Sequence, residues 1–152
     1  MPKVLSRNFG AVEFAPDEQF VFPNGLPGFP CETAFLPVEI PEQLPLVYLQ
    51  SLQTPDLCFV ALPVNCLVQD YRLSANAEDL AVVDLGPNAV RSPEMLCLAF
   101  LCFGEDGTAT ANLRAPIIVN LQNRRGVQAI QNEDRYPIRF MIGTQEGGFG
   151  CS

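Results

Sequence analysis

Residues 22–30, FPNGLPGFP, hold three prolines and two glycines among three bulky apolar side chains. Proline fixes φ and lacks an amide donor, so this stretch suits neither a helix interior nor a central strand. Pro27-Gly28 fits the centre of a type II turn, and Asn24-Gly25 supplies a second position tolerant of positive φ. A flexible linker has no use for Phe22, Leu26 and Phe29. The stretch therefore predicts a rigid corner whose apolar side chains stay anchored to a core. Gly25, Pro27 and Gly28 are expected to be structural, setting backbone angles.

Similar punctuation recurs along the chain, which has 14 prolines in 152 residues. Short apolar runs at strand period lie between the breaks. GAVEFA and QFVF alternate or nearly so, with Val12, Phe14, Phe20 and Phe22 as inward candidates. TAFLPVEI is extended, and Pro37 marks it as an edge or a bulge. LVYLQSL and LCFVALP are strands separated by the turn QTPD. MLCLAFLCF is apolar on both faces, as a central strand would be. EDGT turns the chain back into TATANL. PIIVNL and GVQAIQ make a further hairpin around QNRR, with Gly126 suited to a bulge. YPIRFMI is a last short strand, and the Gly-rich tail, residues 145–152, is expected to fray. The one helix expected lies in SANAEDLAVVDLG, with Ser74 or Asn76 as its cap, acids in its first turn and Gly86-Pro87 as its stop. Many short strands and few helices predict an all-β chain folded as an antiparallel barrel or sandwich.

The length suits a single domain, residues 1–152, able to bury about 70% of its unfolded surface without a metal or a disulfide. A hydrophobic content of 48%, with 11 Phe, supplies the core. The net charge of −8 is unevenly spread. No Lys or Arg occurs between Arg7 and Arg72, a span that holds Glu13, Asp17, Glu18, Glu32, Glu39, Glu42, Asp56 and Asp70. Nucleic acid and anionic membranes demand Lys and Arg, so neither is an expected direct partner. A basic protein partner is compatible, although acids that only confer solubility are the plainer reading of charge alone. MPKVLSRNFG has no apolar h-region, and the longest apolar run, LCLAFLCF, is too short to span a bilayer as a helix. These features predict a cytoplasmic protein. Most of its six cysteines are expected as reduced thiols, with Cys58, Cys97 and Cys102 as small core residues.

The catalytic inventory is nearly empty. There is no histidine, which removes Ser-His and Cys-His pairs and imidazole metal ligation. Adjacent acids such as Asp17-Glu18 and Glu105-Asp106 fall in turns and read as a solvated rim. Arg124-Arg125 reads as a charged hairpin tip. No catalytic, metal or cofactor-binding residue is expected. A small ligand-binding barrel with Phe-lined walls, and a cysteine-based redox or transfer enzyme, stay open as alternatives.

FPNGLPGF at 22–29, YLQSL at 48–52, CFVALP at 58–63, DYRL at 70–73, TANLRAPIIVN at 110–120, QAIQ at 128–131 and YPIR at 136–139 occur in one order and spacing. Together they resemble the flagellar assembly factor FliW family, over Phe9 to about Ile142. The resemblance implies an antiparallel β-barrel-like domain without enzymatic activity. It implies a partner switch: binding the RNA-binding regulator CsrA, which relieves repression of flagellin translation, and binding flagellin itself, as a monomer or weak homo-oligomer. Two steps depart from the family's pattern. Pro30-Cys31 stand before Glu32 where an acid usually follows GLPGF, and VNCL follows CFVALP where an aromatic or acidic-proline step is usual. Candidate partner contacts are Leu49, Gln50, Ser51 and Leu52, on a strand that could offer an edge, with Asp56, Asp70 and Tyr71 beside them. Asn112, Pro116 and Asn120 are expected to be structural, the two amides closing loop hydrogen bonds.

Overall fold

The computed structural model describes residues 2–86, 94–131 and 135–144. Its strands are β1 (Lys3–Ser6), β2 (Gly10–Glu13), β3 (Phe20–Val21), β4 (Ala34–Val38), β5 (Val47–Ser51), β6 (Cys58–Pro63), β7 (Met95–Phe103), β8 (Thr108–Ala111), β9 (Ile117–Asn120), β10 (Arg125–Gln128) and β11 (Phe140–Thr144), and its α-helix is α1 (Ala77–Val82). Seven strands, in the order β7-β6-β5-β4-β3-β10-β9, close into a ring because β9 returns to β7. The chain is thus all-β with one short helix, and the barrel is the arrangement found. Its pairs are antiparallel except one: β3 and β10 run parallel, joined at Val21↔Arg125. Strand directions can alternate around a closed ring only if the number of strands is even. Seven is odd, so one parallel seam is unavoidable.

β7 shows why a run can be apolar on both faces. Met95–Leu98 pair with β9, Leu101–Phe103 pair with β8 on the same edge, and Leu98–Phe100 pair with β6 on the other. The strand therefore belongs to the barrel and to an outer sheet, β7-β8-β11, at once. Leu96, Leu98 and Phe100 join the barrel core, with Phe20, Phe22, Phe35, Leu49 and Phe59. Cys97, Ala99 and Leu101 face a second core with Val64, Ala111 and Leu113. The β1–β2 hairpin forms a separate sheet. It packs Val4 and Phe14 against Leu36 of β4.

The proline-rich corner forms as its sequence demands. Leu26 and Phe29 exchange backbone hydrogen bonds of 3.1 and 2.7 Å across Pro27-Gly28, and Gly28 has φ 83°. Gly25, at φ 67°, donates to the Phe22 carbonyl at 2.9 Å. Phe22 and Leu26 are buried, but Phe29 is 41% exposed. The space behind it is taken by Phe59, which its ring meets edge-on at 5.5 Å. Phe29 therefore caps the barrel rather than anchoring inside it.

Two other expectations are corrected. Gly126 makes no bulge; it sits in regular register with Val119. Its missing Cβ is filled by the Phe22 ring, whose atoms lie 2.7 Å from where a Cβ would be. The helix is shorter than residues 74–86: Asp84 at φ 60° ends it before Gly86. Pro87 and the tail 145–152 lie outside the described residues. Pro37 pairs only toward β5, since β3 stops short of it, which is why a residue without an amide donor is tolerated there.

Asn76, not Ser74, caps α1: its side-chain oxygen accepts from the Asp79 amide at 2.8 Å. The helix buries Leu80, with Val83 just beyond it, against Ile118 and Val127. Asn76→Ala should lower unfolding free energy by about 1 kcal/mol, read from the urea midpoint at unchanged slope.

Candidate partner-binding surface

β5 is flanked by β4 and β6 over most of its length, so it has no edge to offer. Leu49 points into the barrel, and Gln50 and Ser51 are buried. This corrects their expected placement on an open edge. Gln50 is a hub under the N-terminal hairpin. Its Oε1 accepts from Ser6 Oγ at 2.7 Å, and its Nε2 donates to the carbonyls of Ser51, Pro55 and Leu57. Ser51 Oγ donates to Glu32 and accepts from the amides of Gln53 and Thr54. Leu52 is half-buried against the β1–β2 core. These four residues shape a surface from beneath.

Asp56 and Asp70 are exposed, as are Glu13, Asp17, Glu18, Glu39 and Glu42. Glu32 is the exception: half-buried, it accepts from Ser51 and Thr54. The acidic first half thus places most of its charge in water. Tyr71 is half-buried, donates to the Leu113 carbonyl at 2.6 Å and stacks on Tyr136 at 4.4 Å. Burial pushes its hydroxyl well above the ordinary tyrosine range.

The expected structural residues occupy loop joints. Asn112 Oδ1 accepts from the amides of Arg114 and Ala115. Pro116 is fully buried. Asn120 Nδ2 donates to the Val83 carbonyl at 2.9 Å, tying the β9–β10 turn to α1.

Two residues had no local signal in the sequence. Gln131 is buried and joins distant segments, accepting from Ser74 and donating to Tyr71 and Arg72. Arg124 is no simple turn charge. It has φ 61°, lays its guanidinium over the Phe20 ring at 4.6 Å and donates to the Glu18 carbonyl at 2.6 Å. It stands in the wall of an apolar cleft of about 460 Å³ at one mouth of the barrel, with Phe20, Val47, Leu96 and the exposed Leu44 and Leu121. A smaller concavity of about 230 Å³ lies between Arg72, Ser74, Arg135 and Tyr136.

The barrel interior itself is packed. Phe22 and Phe35 meet at 5.5 Å, Phe35 and Phe59 at 5.8 Å, and Phe59 stacks on Phe100 at 4.7 Å. Among the cysteines, burial pushes Cys97 up to about 12 and Cys58 up to about 11, so both stay protonated near neutral pH and are poor nucleophiles. Cys102 is exposed rather than in the core. Cys66 is disulfide-bonded, whereas Cys31, Cys58, Cys97 and Cys102 are free thiols. Among the described residues, no group of three or more His, Cys, Asp or Glu side chains could hold a metal ion. No helix there is long and apolar enough to cross a membrane.

Residues 3–142 match the family model of the FliW protein. The flagellar assembly factor FliW of Natranaerobius thermophilus is 32% identical over 147 residues, covering 95% of each chain. That of Syntrophomonas wolfei is 32% identical over 141 residues, covering 92% of this chain and 88% of the relative. A crystal structure of the flagellar assembly factor FliW superposes with a TM-score of 0.80 at 26% identity, over 92% of this chain and 96% of that one. The chain shares its overall fold with that structure and is a member of the FliW family of flagellar assembly factors.

Proposed function

We propose that this protein works in the cytoplasm without catalysis, by binding the RNA-binding regulator CsrA and flagellin in competition. CsrA held by this protein cannot repress flagellin translation. Accumulating flagellin takes the protein up and returns CsrA to the message. The observation that carries the reading is a family match running through nearly the whole chain. An exposed acidic first half supports it, because an RNA-binding partner must carry positive charge to meet phosphate. A small-molecule barrel is disfavoured by an interior already filled with phenylalanine rings.

Calorimetry with CsrA and flagellin from the same cell should give heat with each, and each should weaken the other. No heat and no complex with either partner would refute the reading. Charge reversal of both Asp56 and Asp70 to Lys should slow CsrA association on the order of tenfold at low salt and flatten its salt dependence. An unchanged rate in stopped flow would remove acidic steering from the account.

A further inference from the structure

The concavity bounded by Arg72, Leu73, Ser74, Arg135 and Tyr136 has two positive charges in its lining and no negative one, on a chain whose net charge is −8. Both arginines are exposed. Arg72 is bonded only through its backbone: the amide donates to the Tyr136 hydroxyl at 2.9 Å, and the carbonyl accepts from Gln131 Nε2 at 3.2 Å. Among the described residues, no acceptor meets its guanidinium. The Tyr136 hydroxyl accepts from that amide and donates to no described residue, so its own proton is uncommitted. A third arginine, the half-buried Arg114, is fastened to the same tyrosine, its Nε donating to the Tyr136 carbonyl at 3.0 Å.

The two segments that form the walls are held together from several sides. Gln131 Oε1 accepts from the Ser74 amide at 2.5 Å and from its hydroxyl at 2.7 Å. The Leu113 amide donates to the Pro137 carbonyl at 3.1 Å, and Tyr71 stacks on Tyr136 at 4.4 Å. A frame assembled in advance lowers the ordering cost of binding. Its chemistry describes the ligand. A guanidinium fork matches an oxyanion through paired N–H donors. The charge of the whole chain opposes a dianion more than a monoanion, which favours carboxylate over phosphate. A volume of about 230 Å³ admits such a group rather than a whole drug-sized molecule. Ile138, two residues after Tyr136, is 53% exposed, and Ile130, next to Gln131, is 61% exposed. A lone ion gains nothing from such side chains, whereas apolar neighbours of an acidic residue do.

We infer that this concavity is a docking site for an acidic segment of a partner protein, one side-chain carboxylate accepting from the guanidinium groups of Arg72 and Arg135 and from the Tyr136 hydroxyl. The inference rests on the reading that this protein acts by binding other proteins, and it adds a contact opposite in sign to the acidic first half.

The probe is the capped peptide acetyl-LEL-amide, titrated into isotope-labelled protein and followed by NMR. The Nε–H resonances of Arg72 and Arg135 and the amides of Leu73 and Ser74 should shift together. Acetyl-LQL-amide, which has the same shape without the charge, should bind about tenfold more weakly. Arg72→Gln, at an exposed side chain with no partner to lose, should weaken acetyl-LEL-amide by about tenfold. Arg7→Gln, an exposed arginine outside the concavity, should leave its affinity unchanged. Four results would overturn the inference. No shift at roughly 10 mM peptide would mean that Asp70, Glu133 or Asp134 already neutralises the arginines. Equal affinity for acetyl-LQL-amide would remove the carboxylate from the account. An unchanged affinity in Arg72→Gln would place the peptide elsewhere. Acetate or inorganic phosphate binding as tightly as the peptide would make the concavity a small-anion site. Neither CsrA nor flagellin enters the titration, so an inert concavity would leave their calorimetry standing, and silent calorimetry would leave the peptide result standing.

Discussion

Phe35→Ala is expected to lower unfolding free energy by about 3–5 kcal/mol, a large part of what a domain of this size holds in reserve. The residue has no solvent exposure. It sits on β4 between β3 and β5 and touches the Phe22 and Phe59 rings, so its loss opens a void where three strands and the corner meet. Backbone hydrogen bonding on both sides restrains collapse into that void, which puts the cost at the upper end of the range. Guanidinium unfolding should show a lower midpoint at unchanged slope. Leu5→Ala, at a side chain 70% exposed, should stay within about 0.5 kcal/mol. Equal midpoints for the two variants would mean that the ring of phenylalanines does not hold the barrel together.

The second large effect separates two glycines with similar backbone angles. Gly25 and Gly28 have φ of 67° and 83°, so alanine at either is strained by roughly 1–2 kcal/mol. Their surroundings differ. A Cβ on Gly25 would lie 2.5 Å from the Pro30 carbonyl oxygen and 2.7 Å from that of Phe29, while one on Gly28 would meet nothing within 4 Å. Main-chain oxygens in a proline-locked turn cannot swing aside. Gly28→Ala should therefore cost about 1 kcal/mol. Gly25→Ala should cost more than about 3 kcal/mol, because overpacking against backbone adds to the strain. Thermal unfolding of the pair tests this, and similar melting temperatures would show that the corner has room to relax.

The parts of the fold legible in the sequence were those coded by neighbouring residues. Pro27-Gly28 gave its turn, Asn76 its cap, and the two-faced apolar run of β7 its central position. Features that join distant segments had no local code. Gly126 looked like a bulge because nothing near it in sequence announces the Phe22 ring beside it. Gln50 and Ser51 read as part of a strand that could offer an edge, yet β4 and β6 flank that strand and distant partners such as Ser6 and Glu32 satisfy the two side chains. The candidate site divided the same way. Asp56 lies in the turn that QTPD announces and is exposed, whereas Arg124 meets Phe20 and Glu18 only after the ring has closed.

The parallel joint between β3 and β10 is a single rung between residues 21 and 125. A ribosome delivers the first of these strands long before the second. Until Arg125 and Gly126 emerge, β3 has β4 on one side and nothing on the other, and the mouth formed by Phe20, Val47, Leu96 and Arg124 does not exist. A chain cut short just upstream of β10 would carry the acidic first half but no sealed ring. The ring therefore seals only once β10, near the end of the polypeptide, has been made.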